Sequence, residues 1–189
     1  SEMCIRDRSE YDVFGAGHAS TAISAATGIA SARDLKNEDY KVVAIVGDGG
    51  MSGGITFEGL NNAGMLQKDI IVILNDNRMS ISPNVGAMAR YLASIKTDPL
   101  FNKIKAEVWD LTAKIPRMTD KIRLFVQRIE ESLKRLIVPG MWFENLGFKY
   151  IGPIDGHNLD ELISFLSRAK EMRGPILVHI ITKKGKGYS

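Results

Sequence analysis

A lone cysteine, Cys4, is all the thiol chemistry the chain carries. One cysteine closes no internal disulfide, so a disulfide-stapled extracellular scaffold is excluded and a reducing compartment, bacterial cytoplasm or stroma, is the expectation. No apolar run approaches the roughly 18 residues that a helical membrane span requires, and no membrane partner is expected. Charge of one sign is scarce as well: the formal net charge is +3, and the basic residues between Lys103 and Arg135 alternate with Glu107, Asp110, Asp120, Glu130 and Glu131. Such interleaving describes a solvated helical surface, so nucleic acid is not expected as a partner either. Residues 1–8 lack the apolar centre of a secretory signal and show no periodicity, and they join abruptly to the patterned sequence that follows. They read as a foreign or truncated end ahead of one domain at 9–189. With 44% hydrophobic residues in 189, the chain can build one sizeable core but not two large ones.

What is present is the alternation of an α/β protein. Residues 41–47 (KVVAIVG) and 69–74 (DIIVIL) are short, β-branched and almost wholly apolar, the pattern of parallel strands buried on both faces. Between them Ile55, Leu60, Ala63 and Met65 recur at helical spacing, which completes a βαβ unit. Upstream, residues 20–35 are mostly Ala, Ser, Thr, Gly and Ile, suited to a helix lying close against other backbone. Its small face has two readings, an internal contact and a contact between subunits. Downstream, residues 149–151 lead to a helix over 158–171, with Asn158 and Glu161 as its capping pair, and then to a strand over 175–182 (PILVHIIT). In the middle, Leu100, Ile104, Val108, Leu111 and Ile115 form one helical series and Ile122, Phe125, Ile129, Leu133 and Leu136 another. Pro116 separates them and Pro139-Gly140 ends the second, so residues 87–140 read as a helical insertion in the sheet. The fold class is thus α/β, a parallel sheet flanked by helices and interrupted by a helical insertion.

Two polar loops stand at strand ends: Gly47-Asp48-Gly49-Gly50 after the first strand and Asn75-Asp76-Asn77 after the second. Parallel strands deliver both loops to one rim, the rim where open α/β sheets bind ligands. Asp48 and Asn77 are hard oxygen donors of the kind a small octahedral cation takes while keeping water and phosphate ligands, and Mg2+ is the natural candidate. Gly49 and Gly50 present backbone N–H groups without side chains, and the helix that follows turns its positive end to the same place, as a metal-held diphosphate requires. Either loop by itself is an ordinary polar turn; the pair in register carries the chemistry.

That pair, Gly47-Asp48-Gly49 and Asn75-Asp76-Asn77, resembles the diphosphate and metal signature of thiamine-diphosphate enzymes. Four longer strings narrow the likeness: residues 11–21 (YDVFGAGHAST), 73–86 (ILNDNRMSISPNVG), 148–157 (FKYIGPIDGH) and 182–188 (TKKGKGY). Together they are similar to the 1-deoxy-D-xylulose-5-phosphate synthase family, from about Ser9 onwards. The resemblance implies a thiamine-diphosphate-binding fold with Mg2+ held by Asp48, Asn77 and the carbonyl of Met79. It also implies that Gly17, His18 and Ala19 line the cofactor site, that Gly49 and Gly50 face the diphosphate, and that Tyr188 reaches the site from the far end. In that family a His at the position of His18 lies near the thiazolium and substrate, where an imidazole donates a hydrogen bond or shuttles a proton. The implied reaction joins pyruvate and D-glyceraldehyde 3-phosphate into 1-deoxy-D-xylulose 5-phosphate with loss of CO2, the first step of the non-mevalonate isoprenoid route, in a homodimer. Whole members of the family also carry a pyrimidine-binding domain that supplies a Glu, and a C-terminal domain. No residue here takes the role of that Glu, so the 189-residue chain is expected to turn over weakly or not at all.

Several residues keep two readings. His157, after Asp155-Gly156, suits either a structural turn or a distant diphosphate contact, and Lys183, Lys184 and Lys186 either attract phosphate or form a solvated basic tail. For His18 the bland alternative is a buried histidine at a helix start. Another thiamine-diphosphate enzyme, such as a transketolase, shares the metal loop. A dinucleotide-binding domain is the alternative from another class, because Gly15-Ala16-Gly17-His18-Ala19-Ser20 follows the strand-like 11–14. There the third glycine is replaced by Ser20, and no second strand ends in an acidic residue about 20 positions on.

Overall fold

A computed structural model describes residues 9–15, 17–77, 79, 86–97 and 140–188. Along them run α1 (Ala22–Leu35), β1 (Val42–Gly47), a 3-10 turn (Gly50–Ser52), α2 (Gly54–Leu66), β2 (Ile70–Asp76), α3 (Ala87–Thr97), α4 (Met141–Asn145), β3 (Lys149–Asp155), α5 (Leu159–Glu171) and β4 (Ile176–Ile181). The strands make one sheet in the order β1-β2-β4-β3, with every pairing parallel. Parallel pairing requires a crossover, which α2 supplies between β1 and β2 and α5 between β3 and β4. The α/β class is as expected. The two helices expected over 100–115 and 122–136 lie outside the described residues.

Each face of the sheet has its own core. On one, Val42, Ala44, Val46, Ile70, Val72, Leu74 and Leu177 meet α1, α2, α3 and α4 through Ile23, Ala30, Leu60, Leu92 and Phe143. On the other, Ile71, Val178 and Ile154 meet α5 through Ala169, Phe165 and Leu166. β2 and β4, in the middle of the sheet, are buried along most of their length on both faces, as their composition predicts. β1 departs from that expectation: Val42, Ala44 and Val46 are buried, whereas Val43 and Ile45 are exposed. The reason is coverage: among the described residues that face is covered by α5, which packs on the β3, β4 and β2 side.

The small-residue helix behaves as its composition requires. α1 packs internally on α2, and a Cβ added to Gly59 would come within 3.2 Å of the Ser24 backbone nitrogen. This close approach also corrects the expected inner face of α2. Leu60 and Ala63 are buried, but Ile55 and Met65 are exposed, and the inward stripe is Thr56, Gly59, Leu60, Ala63 and Gly64. Small residues that admit neighbouring backbone set the face, overriding two larger apolar side chains.

Polar groups close the far ends of the strands. Arg33, buried at the last turn of α1, donates from Nη1 to the carbonyls of Tyr40 and Asp69 at 3.1 Å each and pairs with Asp34. The side-chain hydrogen bond from Lys68, with that from Arg33, holds the Asp34 carboxyl below its ordinary range. α5 starts with the expected cap: Asn158 Oδ1 accepts from the Glu161 amide at 3.3 Å, and Asn158 Nδ2 donates to Glu161 Oε2 at 3.2 Å. Among the described residues no helix is long and apolar enough to cross a membrane.

Candidate active site

Because the sheet is parallel, β1, β2, β4 and β3 all end on one rim, and four polar loops emerge there. Gly47 is in register with Asn75, and the Asp48 amide donates to the Asn75 carbonyl at 3.2 Å. The two loops singled out in the sequence are therefore adjacent and directly bonded. Asp48 is 7% exposed. Asn77 leaves β2 one residue beyond its end, and its Oδ1 accepts from the Met79 amide at 2.8 Å, which folds the backbone back over the side chain. An amide oxygen has a second lone pair, so this bond leaves Asn77 able to meet a cation. Met79 itself is half-exposed.

Between β1 and α2 the backbone passes through a 3-10 turn, so α2 starts at Gly54, some residues later than a helix directly abutting Gly50 would. The turn is pinned from two directions. The Gly50 carbonyl accepts from Thr56 Oγ1 at 2.7 Å and from Ser20 Oγ at 2.8 Å. A side chain on Gly53 would collide with the Ser20 hydroxyl, which accounts for a glycine there. Ser20 adopts a left-handed backbone (φ 74°) and lies two residues after His18. The Ser20 bond thus brings Gly17, His18 and Ala19 to the edge of the glycine loop, all three exposed. His18 is not the buried helix-start histidine of its bland reading. Its carbonyl accepts from Thr21 Oγ1 at 3.3 Å, and the residue is exposed.

The other sequence expectations divide. Tyr188 follows the end of β4 but is 92% exposed, so its ring stands in solvent and not against the loops. His157 makes structural contacts: its Nε2 accepts from the Lys183 amide at 2.8 Å, and its own amide donates to Asp155 Oδ1 at 2.9 Å, joining the loop after β3 to the segment after β4. Lys183, Lys184 and Lys186 are exposed. The stretch 11–14, strand-like in sequence, forms no strand, and Tyr11, Val13 and Phe14 are exposed, so a dinucleotide fingerprint lacks the strand it must follow.

Sequence reasoning missed the groups beneath the rim. Tyr150 Oη lies 2.8 Å from His179 Nδ1, and His179 Nε2 lies 3.3 Å from Asp76 Oδ2, all on the inner side of β2 and β4. Thr182 Oγ1 donates to Asn75 Oδ1 at 2.6 Å. The available signal was a histidine inside an otherwise apolar strand.

Among the described residues no three His, Cys, Asp or Glu side chains cluster as a metal site. Asp48 and Asn77 offer a carboxylate and an amide oxygen, a set that suits a hard ion completed by phosphate and water better than Zn2+. The donors present, Asp48 and Asn77 beside a turn with a glycine that tolerates no side chain, fit a metal-held diphosphate.

Comparison with known proteins bears on the family and the fold. A 55% identical relative, the 1-deoxy-D-xylulose-5-phosphate synthase of Caldanaerobacter subterraneus subsp. tengcongensis, aligns over 97% of this chain and 29% of its own length. The protein of the same name from Carboxydothermus hydrogenoformans is 57% identical over the same shares. The chain thus spans under a third of the relatives it matches. Among solved structures, a transketolase from Campylobacter jejuni superposes with a TM-score of 0.53 at 22% identity, covering 89% of this chain and 20% of that one. A putative thiamin diphosphate-dependent enzyme from Mycobacterium smegmatis gives 0.51 at 17%, covering 88% and 23%. At those identities the likeness is one of fold, which the parallel sheet shares. The sequence profile of the family described as 1-deoxy-D-xylulose-5-phosphate synthase matches residues 1–182, and the chain belongs to that family.

Proposed function

We propose that this chain is the diphosphate- and metal-holding part of a synthase that condenses pyruvate with D-glyceraldehyde 3-phosphate, releasing CO2 and forming 1-deoxy-D-xylulose 5-phosphate. The observation that carries the reading is the adjacency of Asp48 and Asn77 at the ends of paired parallel strands, in a chain of this family. Asp48 Oδ, Asn77 Oδ1 and the Met79 carbonyl would hold Mg2+, and the Gly49 and Gly50 amides would meet the diphosphate. Thiamine diphosphate, when bound, supplies the electron sink that decarboxylation and carbon–carbon bond formation require. The chain's own part is to hold and orient that group. Gly17 and Ala19 give the rim a low wall beside it, and His18 offers an imidazole to donate a hydrogen bond or carry a proton at the substrate. Tyr188, exposed at the end of the post-β4 segment, would close over the cofactor only on a further rearrangement. Homodimerisation and a place in bacterial cytoplasm belong to the same reading, supported by family membership.

Thermal unfolding with thiamine diphosphate, with and without Mg2+, tests the proposal. Stabilisation by the cofactor that requires the metal is expected, and stabilisation by NAD instead would overturn it. Incubation of the chain with pyruvate, the aldehyde, cofactor and Mg2+ is expected to give little or no product, since the chain spans under a third of the relatives it matches.

A further inference from the structure

β4 is Ile, Leu and Val apart from His179, which is fully buried, and Asp76 at the end of β2 is almost as deep. Such a pair gives up a large solvation energy and adds little net stability over apolar residues of the same volume, so its presence points to a role in geometry. Burial, with Tyr91 and Asp76 nearby, pushes the Tyr150 hydroxyl far above its ordinary range, and it keeps its proton. Tyr150 O–H therefore donates to Nδ1, and Nε2–H donates to the Asp76 carboxylate, so the one imidazole satisfies both neighbours. β3 comes so close to this histidine that a Cβ on Gly152 (φ +131°) would lie 2.5 Å from the His179 carbonyl oxygen.

The opposite face of the same two strands carries a second tie. Thr182 Oγ1 donates to Asn75 Oδ1, and the Thr182 amide donates to the Asp76 carbonyl at 2.9 Å. Successive strand residues point to opposite faces. Asn75 and Asp76 are consequently bound to β4 from both sides of the sheet, and the end of β2 cannot rotate about its own axis. The next residue is Asn77.

We infer that Tyr150, His179 and Thr182 are positioning residues that fix the angle at which Asn77 leaves β2, and so set how tightly Asn77 and Asp48 together hold a divalent cation. The cation rests on the function proposed above; the clamp on Asn77 does not. Two readouts on the chain separate the two. The first is amide hydrogen exchange at Met79, whose N–H is bonded to the Asn77 side chain, and at Asp48, whose N–H is bonded to Asn75. The second is the Mg2+ concentration giving half-maximal thermal stabilisation at fixed thiamine diphosphate. Tyr150→Phe, Thr182→Val and His179→Leu are expected to speed exchange at both amides and to raise the Mg2+ midpoint about tenfold, the low end for changes behind a metal ligand. His179→Gln is expected to restore most of both, because its amide also sets a donor and an acceptor on one planar group. Ile154→Val, in the other core, lowers the melting temperature and moves neither readout. Should His179→Leu fail to fold, Tyr150→Phe and Thr182→Val, which each remove one hydroxyl, decide the matter. Wild-type exchange at both amides in those two variants would overturn the inference, as would equal effects from Ile154→Val. If the unsubstituted chain shows no Mg2+ response while the variants still loosen Met79, the positioning role stands and the cofactor reading falls.

Discussion

Replacing Asp48 by Asn keeps the shape of a side chain that is almost wholly buried and removes one negative charge from the rim. The magnitude follows from where the charge sits. At an effective dielectric of about 20 and a separation of about 4 Å, a unit pair interacts by ~4 kcal/mol. The proposed metal would be divalent and would give up hydration on binding, so ~4 kcal/mol is the scale of the expected loss, about a thousandfold in affinity. With Mg2+ and cofactor at about 100 times the dissociation constant, the unsubstituted chain gains ~2.7 kcal/mol. For a chain of this size that is a rise of roughly 5–11 °C in melting temperature. Under the same conditions Asp48→Asn has the ligand at about a tenth of its new dissociation constant, and the rise shrinks to below ~0.5 °C. Scanning fluorimetry at fixed thiamine diphosphate, with Mg2+ titrated against a chelator control, reads both numbers. An Asp48→Asn chain that keeps more than half of the wild-type shift would refute the assignment of Asp48 as a metal ligand.

Other expectations follow from single contacts. Thr56→Val deletes one of the two donors to the Gly50 carbonyl at a fully buried position, and thermal unfolding should register a loss of ~1 kcal/mol, or roughly 2–4 °C. Leu60→Ala, at the α2 side of the larger core, should cost ~2–5 kcal/mol in denaturant titration, and a value under ~1 kcal/mol would mean the core there is looser than described. Asp69 is a pH probe: burial opposes its ionisation, but the Arg173 side chain at 2.8 Å and the Gly174 amide outweigh that and lower its pKa. A depressed carboxyl contributes stability in full above its unfolded value near ~4, and loses it as pH falls through the folded value. Arg173 is largely exposed, so Asp69→Asn should cost only ~0.5–1 kcal/mol at neutral pH. The gap between variant and wild type should close on acidification below pH ~4, and a gap that widens there would contradict the sign.

Local signals were legible in the sequence and long-range ones were not. The Asn158 and Glu161 cap spans three residues, and it formed as its spacing predicts. The parallel strands were legible because β-branched apolar runs of that length have few other uses. By contrast, the inner face of α2 was misjudged, since hydrophobic spacing favours Ile55 and Met65 while the packing favours Gly59 and Gly64. The structural partner of His157, the Lys183 amide, lies 26 residues away in the chain, beyond the reach of local pattern. The His179 to Asp76 contact spans 103 positions, and nothing in the strand's composition identifies its partner.

Sequence alone therefore determined the α/β alternation, the family, and the two loops whose donors share a rim, because parallel pairing sends consecutive strand ends the same way. Tertiary structure decided which faces are covered, that His18 is exposed, and what stands beneath Asn77. Those depend on which distant segments arrive beside a residue, and a burial pattern or buried hydrogen bond exists only once they have.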